Sequence, residues 1–221
     1  MFTNTRLFKY LPNIIIPSII VTLKIMFFSA ILSIIFGIFL GIVLVITDSD
    51  GLNPNKIINS IINKTIDIIR SFPVLILIVA LMPLTRIIVG TTIGANAAIF
   101  TITVACTPFA ARMTQNSLQT VDKQVIKMAK SFGLKNWQII LKVMIVEALP
   151  TLVSNLTILL INMLNVTSIA GAVGAGGLGA IALTYGYQRF DDAIMYFVVA
   201  ILLIFVAIIQ GIGNKLYKYL Q

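Results

Sequence analysis

The sequence predicts an all-α integral membrane protein of about five transmembrane helices, on three observations. Of its 221 residues, 59% are hydrophobic and only 10% charged, whereas a water-soluble domain carries roughly a quarter charged residues to cover its surface. Mean hydropathy is +1.05. The apolar residues are also gathered into charge-free runs, among them 25–47, 87–111 and 193–214, and about 20 apolar residues in a helix cross a bilayer core.

The first run predicts a span over 20–46. It is too long for the apolar region of a signal peptide, about 7 to 15 residues. The turn-forming sequence Asp-Ser-Asp-Gly-Leu-Asn-Pro at 48–54 closes it as an inner loop. A second span over 58–82 joins the charge-free 71–85 to a helical pattern of Ile57, Ile58, Ile61, Ile62, Ile66 and Ile69. Pro83 and the 90–94 segment punctuate an outer connection to the third span, 87–111. The fourth, 151–172, lies in the longest charge-free run and stops where glycines cluster. The fifth covers 193–213. Successive spans joined by short segments make 1–221 one membrane domain, without a water-soluble core. Cys106 is the only cysteine and falls within a span, so neither a disulfide framework nor a cysteine metal cluster forms within one chain.

A formal charge of +9 suits nucleic acid or, more simply, the cytoplasmic loops of a membrane protein. Position decides between them. With the N-terminus outside, Lys56, Lys64, Arg70, Arg112, Lys123, Lys127, Lys130, Lys135, Lys142, Lys215 and Lys218 lie inside, against Arg6, Lys9, Lys24, Arg86 and Arg189 outside. That is 11 against 5 of the 16 basic residues, which predicts an N-out, C-in topology and no nucleic-acid partner.

One substantial polar insert, 112–147, interrupts the apolar sequence. At 100° per residue, Val121, Val125, Met128 and Phe132 fall in a stripe of about 60°, with Lys123, Lys127 and Lys130 opposite. Gly133 suits the left-handed position beyond a helix end, and Asn136 a cap for a helix starting at Trp137. Such a helix lies on the inner membrane surface with its lysines near anionic lipid, enters a partner's groove with its apolar stripe, or is simply an amphipathic loop.

The chemistry-bearing residues are few. There is no histidine and there are only seven acids, which leaves an enzyme without a convincing set of groups to move protons or bind metal. Asp191 and Asp192 precede the last span, where carboxylates suit a helix N-terminus. The glycines at 174–179 spell G-x-G-x-x-G, but a nucleotide-binding fingerprint follows a strand; after a membrane helix, tight turns or close packing are the expected use. No phosphate-binding G-x-x-x-x-G-K-[ST] occurs, so the chain does not hydrolyse ATP by that route. Asp67 and Arg70 are spaced for an ion pair on one helix, or mark a hydrophilic pathway. Asn162, Asn165, Thr167 and Ser168 offer either hydrogen bonds between helices or contacts to a solute.

Residues 127–133, Lys-Met-Ala-Lys-Ser-Phe-Gly, resemble the cytoplasmic E-A-A-x-x-x-G motif of bacterial ABC importer permeases. Ala129 and Gly133 match; Lys127 replaces the glutamate and Met128 the first alanine, while Val143, Ile145 and Val146 stand where isoleucine, leucine and proline occur later in the pattern. Further motifs in the same order resemble the methionine importer permeases: Arg70-Ser71-Phe72-Pro73, Pro83-Leu84-Thr85-Arg86, Ile88-Val89-Gly90-Thr91, Glu147-Ala148-Leu149-Pro150, Ala170-Gly171-Ala172-Val173-Gly174 and Tyr185-Gly186-Tyr187-Gln188-Arg189-Phe190. The likeness covers 57 to the C-terminus, and the first 50 residues match in hydropathy.

The resemblance implies a type I ABC importer permease of the bacterial cytoplasmic membrane. It implies a second copy of the chain, ABC ATPase subunits that bind ATP and Mg, and an extracytoplasmic substrate-binding lipoprotein delivering methionine, D and/or L. The chain itself then has no cofactor and no catalysis. Val121, Val125, Met128, Ala129, Phe132 and Gly133 become the ATPase-coupling residues, and Arg70, Asn162, Met163, Asn165 and Ser168 the candidates for the translocation pathway. The rival readings are a membrane-embedded enzyme and a non-transporting assembly subunit.

Overall fold

A computed structural model describes residues 10–220 of the chain; Arg6 and Lys9, two of the expected outer basic residues, lie outside the described residues. Helices and turns account for the described residues, with no strand among them. Among the described residues, four helices are long and apolar enough to cross a membrane: Pro12–Thr47, Ala95–Leu118, Leu149–Ala175 and Asp192–Leu220.

The first, after a wide turn over Leu11–Ile15, is α1 (Ile16–Thr47). Its last carbonyls would be orphaned, and the turn-rich loop supplies donors: Asn53 N–H to Ile46 O (2.9 Å) and Asn55 N–H to Thr47 O (3.0 Å). Asn55 then opens α2 (Lys56–Ser71), its Oδ1 accepting from the backbone N–H of Ile57 and Ile58 at 3.1 Å each.

The stretch read as one span over 58–82 is divided among α2, α3 (Val74–Ala80) and α4 (Met82–Val89). Proline is the cause. Pro73 lacks a backbone N–H and disfavours helical geometry in the residue before it, and Pro83 sits in the first turn of α4, where it is tolerated. Residues 87–89, expected to begin the third span, therefore belong to α4. The next long helix is α5 (Ala95–Leu118), which carries Pro108 and continues past the expected end at 111.

A short α6 (Lys123–Ser131) follows, and then a helical run over 136–147. The chain continues through α7 (Leu149–Ala170) and a wide turn at Gly171–Ala175 into α8 (Gly177–Ile181), and after Ala182–Tyr187 ends in α9 (Asp192–Leu220).

These elements supply two compact units. The first takes residues up to 32, 72–105 and 161–209. Its core is Leu178, Ile181, Ile194 and Val198, with Tyr10, Ile14 and Tyr185 packed on it. Here the glycine cluster turns the chain back on itself, as its sequence setting suggests. Gly179 lies against the Ser168 carbonyl so closely that a Cβ would overlap it. Thr22 Oγ donates to Ser18 O (3.0 Å) and accepts from the Leu178 N–H (2.9 Å). Asp191 caps α9 by accepting from the Ile194 N–H at 3.3 Å.

The second unit takes 33–71, 106–160 and 210–221. Leu44, Ile66 and Ala111 form one cluster, and Leu118, Val121, Ala129, Ile139, Ile140, Met144 and Ala148 another. Asn155 Nδ2 ties α7 to α5, donating to Met113 O (3.3 Å) and Ser117 Oγ (2.8 Å). Asp67 does not pair with Arg70. It pairs with Arg112 of α5 at 2.7 Å, and Arg112 also donates to Gln115 Oε1 at 2.7 Å. The Arg112 side chain is only 20% exposed, so its charge needs a carboxylate against the cost of lost water. Arg70 stands instead over the Phe109 ring, 5.8 Å from its centroid.

Candidate functional site

The polar insert folds as its glycine and amphipathic pattern require. Asp122 caps α6 by accepting from the Gln124 N–H at 2.8 Å. At the other end Gly133 takes φ +74°, a value costly for residues with a Cβ. Its N–H donates to Lys130 O (2.9 Å) and that of Leu134 to Ala129 O (3.3 Å), the double bond pattern that satisfies a helix's last carbonyls. Leu134 and Ala129 meet in the same apolar cluster.

The apolar surface of α6 divides in two. Ala129 is buried with Ile126 beside it, against Leu118, Val121, Ile139, Ile140 and Met144. Met128 and Phe132 face outward, 54% and 83% exposed, and Val125 is half-buried between the two groups. Of the six residues singled out in this segment, Val121 and Ala129 thus hold the helix to its own chain, and Met128 and Phe132 leave it a free apolar face. Ile126 escaped the sequence reading because it lies 140° from Val121 on the helical wheel, outside a narrow stripe but inside the broader arc that a helix packed on two sides needs.

Two polar ties fix this segment to the loop after α1. Lys123 Nζ donates to Asp50 Oδ2 at 2.7 Å, and Asn136 Nδ2 donates to Leu52 O at 3.4 Å. Asn136 is therefore not the cap; the helical run starts with it, and the Gln138 side chain closes the start by accepting from the Lys135 N–H at 2.9 Å. The hydrogen bond and charge of Lys123 hold the Asp50 carboxyl below the usual carboxylate range, and the same contact raises Lys123. Between helix and loop lies a cleft of about 280 Å³, walled by Leu52, Leu118, Val121, Ile126 and Met144. Trp137 and Leu141 add exposed apolar surface on the following run.

The five pathway candidates are distributed differently. Asn162, Met163, Asn165 and Ser168 lie on α7 in the first unit, and Arg70 on α2 in the second. Met163 is fully buried, a packing position; Asn165 is exposed, Asn162 and Ser168 half-buried. Ser168 and Thr167 spend their hydroxyls on α7 itself, donating to Leu164 O (3.0 Å) and Met163 O (2.8 Å).

Comparison with known proteins decides the family. Residues 33–220 match the model of the binding-protein-dependent transport system inner membrane component. The chain belongs to that family. A probable D-methionine transport system permease protein of Vibrio cholerae is 37% identical over 182 residues, 82% of this chain and 81% of the relative. The methionine import system permease protein of Bacillus subtilis is 40% identical over 171 residues, 77% of each chain. A chain from an inward-facing structure of the MetNI methionine ABC transporter superposes with a TM-score of 0.92 at 36% identity, covering 94% of this chain and 96% of its own. An amino acid ABC transporter, at 21% identity and a TM-score of 0.78, shares the fold. This binding-protein-dependent permease is thus an all-α, multi-pass membrane subunit with the type I ABC permease fold.

Proposed function

We propose that this permease is the membrane subunit of an ATP-driven importer that carries methionine, D and/or L, across the bacterial cytoplasmic membrane. Two copies of the chain flank the path, a lipid-anchored binding protein delivers substrate from outside, and separate ATPase subunits bind ATP and Mg on the inner face. The observation that carries the coupling role is the divided surface of α6: one side is buried in the chain's own core, while Met128 and Phe132 stand exposed on the other. A short helix fixed from behind and apolar in front fits a partner's groove. The excess of basic residues on one side, from which an N-out, C-in orientation is expected, supports the same reading, since that orientation puts α6 on the side where ATP is found.

Co-purification with candidate ATPase and binding-protein partners, followed by methionine uptake into sealed vesicles, tests the proposal. Uptake is expected only when both partners and ATP are present, and the purified chain alone shows no ATP hydrolysis. Robust hydrolysis by the single verified component overturns the assignment.

A further inference from the structure

The last helix, α9, changes character at its C-terminal end. Its only acid is Asp192 at the start and its only bases are Lys215 and Lys218 in the last two turns. At 100° per residue, Ile204, Lys215, Ile208, Tyr219 and Ile212 fall in that order within an arc of about 80°. All five are exposed, Tyr219 by 87%. Gly213, on the other side of the helix, lies against the Thr157 side chain of α7, so the strip points away from the packing of that unit. Lys218 flanks the strip, and among the described residues neither lysine has an ion pair.

Gly211 sits at the edge of the same strip, one turn before Lys215, with nothing within 4 Å of where a Cβ would stand. Glycine weakens a helix interior, and no described neighbour requires it here. The bare backbone is a notch open to the surroundings of the helix, placed where the strip passes from apolar to basic. Ile204 and Lys215 are about 16 Å apart along the axis, close to the roughly 15 Å depth of one leaflet's hydrocarbon.

We infer that this end of α9 holds an anionic phospholipid. An acyl chain runs along Ile204, Ile208 and Ile212, the glycerol backbone lies over Gly211, and the phosphodiester rests on Lys215 and Lys218. The Tyr219 ring covers the boundary, where an amphipathic side chain belongs, and its hydroxyl donates to the headgroup. Charge selects the lipid class: a choline headgroup brings its own cation beside two ammonium groups, whereas phosphatidylglycerol brings none. The site needs α9 in a bilayer and nothing of the importer reading.

Lipid-quenched fluorescence tests it. Trp137→Phe removes the only tryptophan, and Ile212→Trp or Tyr196→Trp then reports from the strip or from the far end of α9, where Tyr196 is exposed one turn beyond Asp192. The full chain is reconstituted in mixtures of phosphatidylglycerol and phosphatidylcholine, with either one brominated. At position 212, phosphatidylglycerol is expected to be preferred about fivefold or more, and at 196 not at all. Lys215→Gln with Lys218→Gln should abolish the preference, and arginine at both positions should keep it. Gly211→Leu, which favours the helix but fills the notch, should lower it at least twofold. Equal quenching by the two lipids at 212 overturns the inference, as does a preference that survives the glutamine changes. A preference untouched by Gly211→Leu is diffuse attraction to the lysines and overturns the bound site. Absence of quenching by either lipid at 212 means that protein covers the strip, and the inference falls.

Discussion

A Cβ at residue 179 would overlap the Ser168 carbonyl oxygen, which is backbone and cannot swing aside. Gly179→Ala is therefore expected to force α7 and α8 apart, at about 1–3 kcal/mol of overpacking strain, read as a lower melting temperature of the detergent-purified protein. Gly211→Ala is the control: nothing lies within 4 Å of a Cβ there, and alanine in a helix gains roughly 0.5–1 kcal/mol over glycine. Equal melting temperatures for the two variants would refute the close-packing account. Residue chemistry also sets the pH response of the tie between Lys123 and Asp50. Asp50 is lowered, so its contribution is complete above the ordinary carboxylate range and lost as pH falls through the lowered value. Lys123 is raised, so its contribution persists past the ordinary lysine range and is lost as pH rises through the raised value. Cleavage of the 48–55 loop by protease is thus expected to stay constant between about pH 6 and about pH 9, windows set by the unperturbed groups. Both side chains are well exposed, so Lys123→Gln matters little at high salt.

At the scale of the element, the proposed coupling role requires that α6 be separable into a face that keeps it folded and a face that docks. Burying a large apolar side chain contributes roughly 1.5 to 3 kcal/mol, so Met128→Asp with Phe132→Asp removes much of a modest interface. The double variant is expected to insert and dimerise normally yet lose ATPase association and uptake. Ala129→Asp differs, because it places a charge in the cluster formed by Leu118, Ile139, Ile140 and Met144; it should destabilise the whole segment. Changing Lys123 and Lys130 to Gln should harm docking less than the double aspartate change. The opposite ranking, with docking lost only in the lysine variant, would reassign the face. The helix itself was legible from sequence because an apolar stripe at helical spacing and a glycine stop agree within a dozen residues; the Asp122 cap came only with the structure. Its division into two faces was not, since Ile126 and Ala129 differ from Val125 and Met128 only in what lies opposite them. The breaks between α2, α3 and α4 were signalled by Pro73 and Pro83, but hydropathy averages over them.

At the scale of the molecule, hydropathy and charge carry the membrane class and the order of the long helices, because lipid imposes the same demand on every span. Contacts between distant residues escape such patterns. Asp67 has a basic residue three positions away in sequence, yet its partner is Arg112, and only the packing of α2 beside α5 makes that choice. Orientation lies between these cases: it is a global property written in local counts. The inner loops carry 11 of the 16 basic residues under an N-out arrangement, and retaining lysine and arginine on the inside is what fixes topology during insertion. The face of α6 proposed to dock an ATPase would have to share that side, so charge distribution and coupling geometry make one joint prediction. In a chain with Cys106→Ala, a single cysteine at position 130 is expected to resist an impermeant thiol reagent in intact cells and to react once the membrane is opened, while a cysteine at position 92 reacts from outside. Reaction of position 130 in intact cells would put the coupling helix on the wrong side of the membrane for ATP, and both the topology and the docking role would fall with that single measurement.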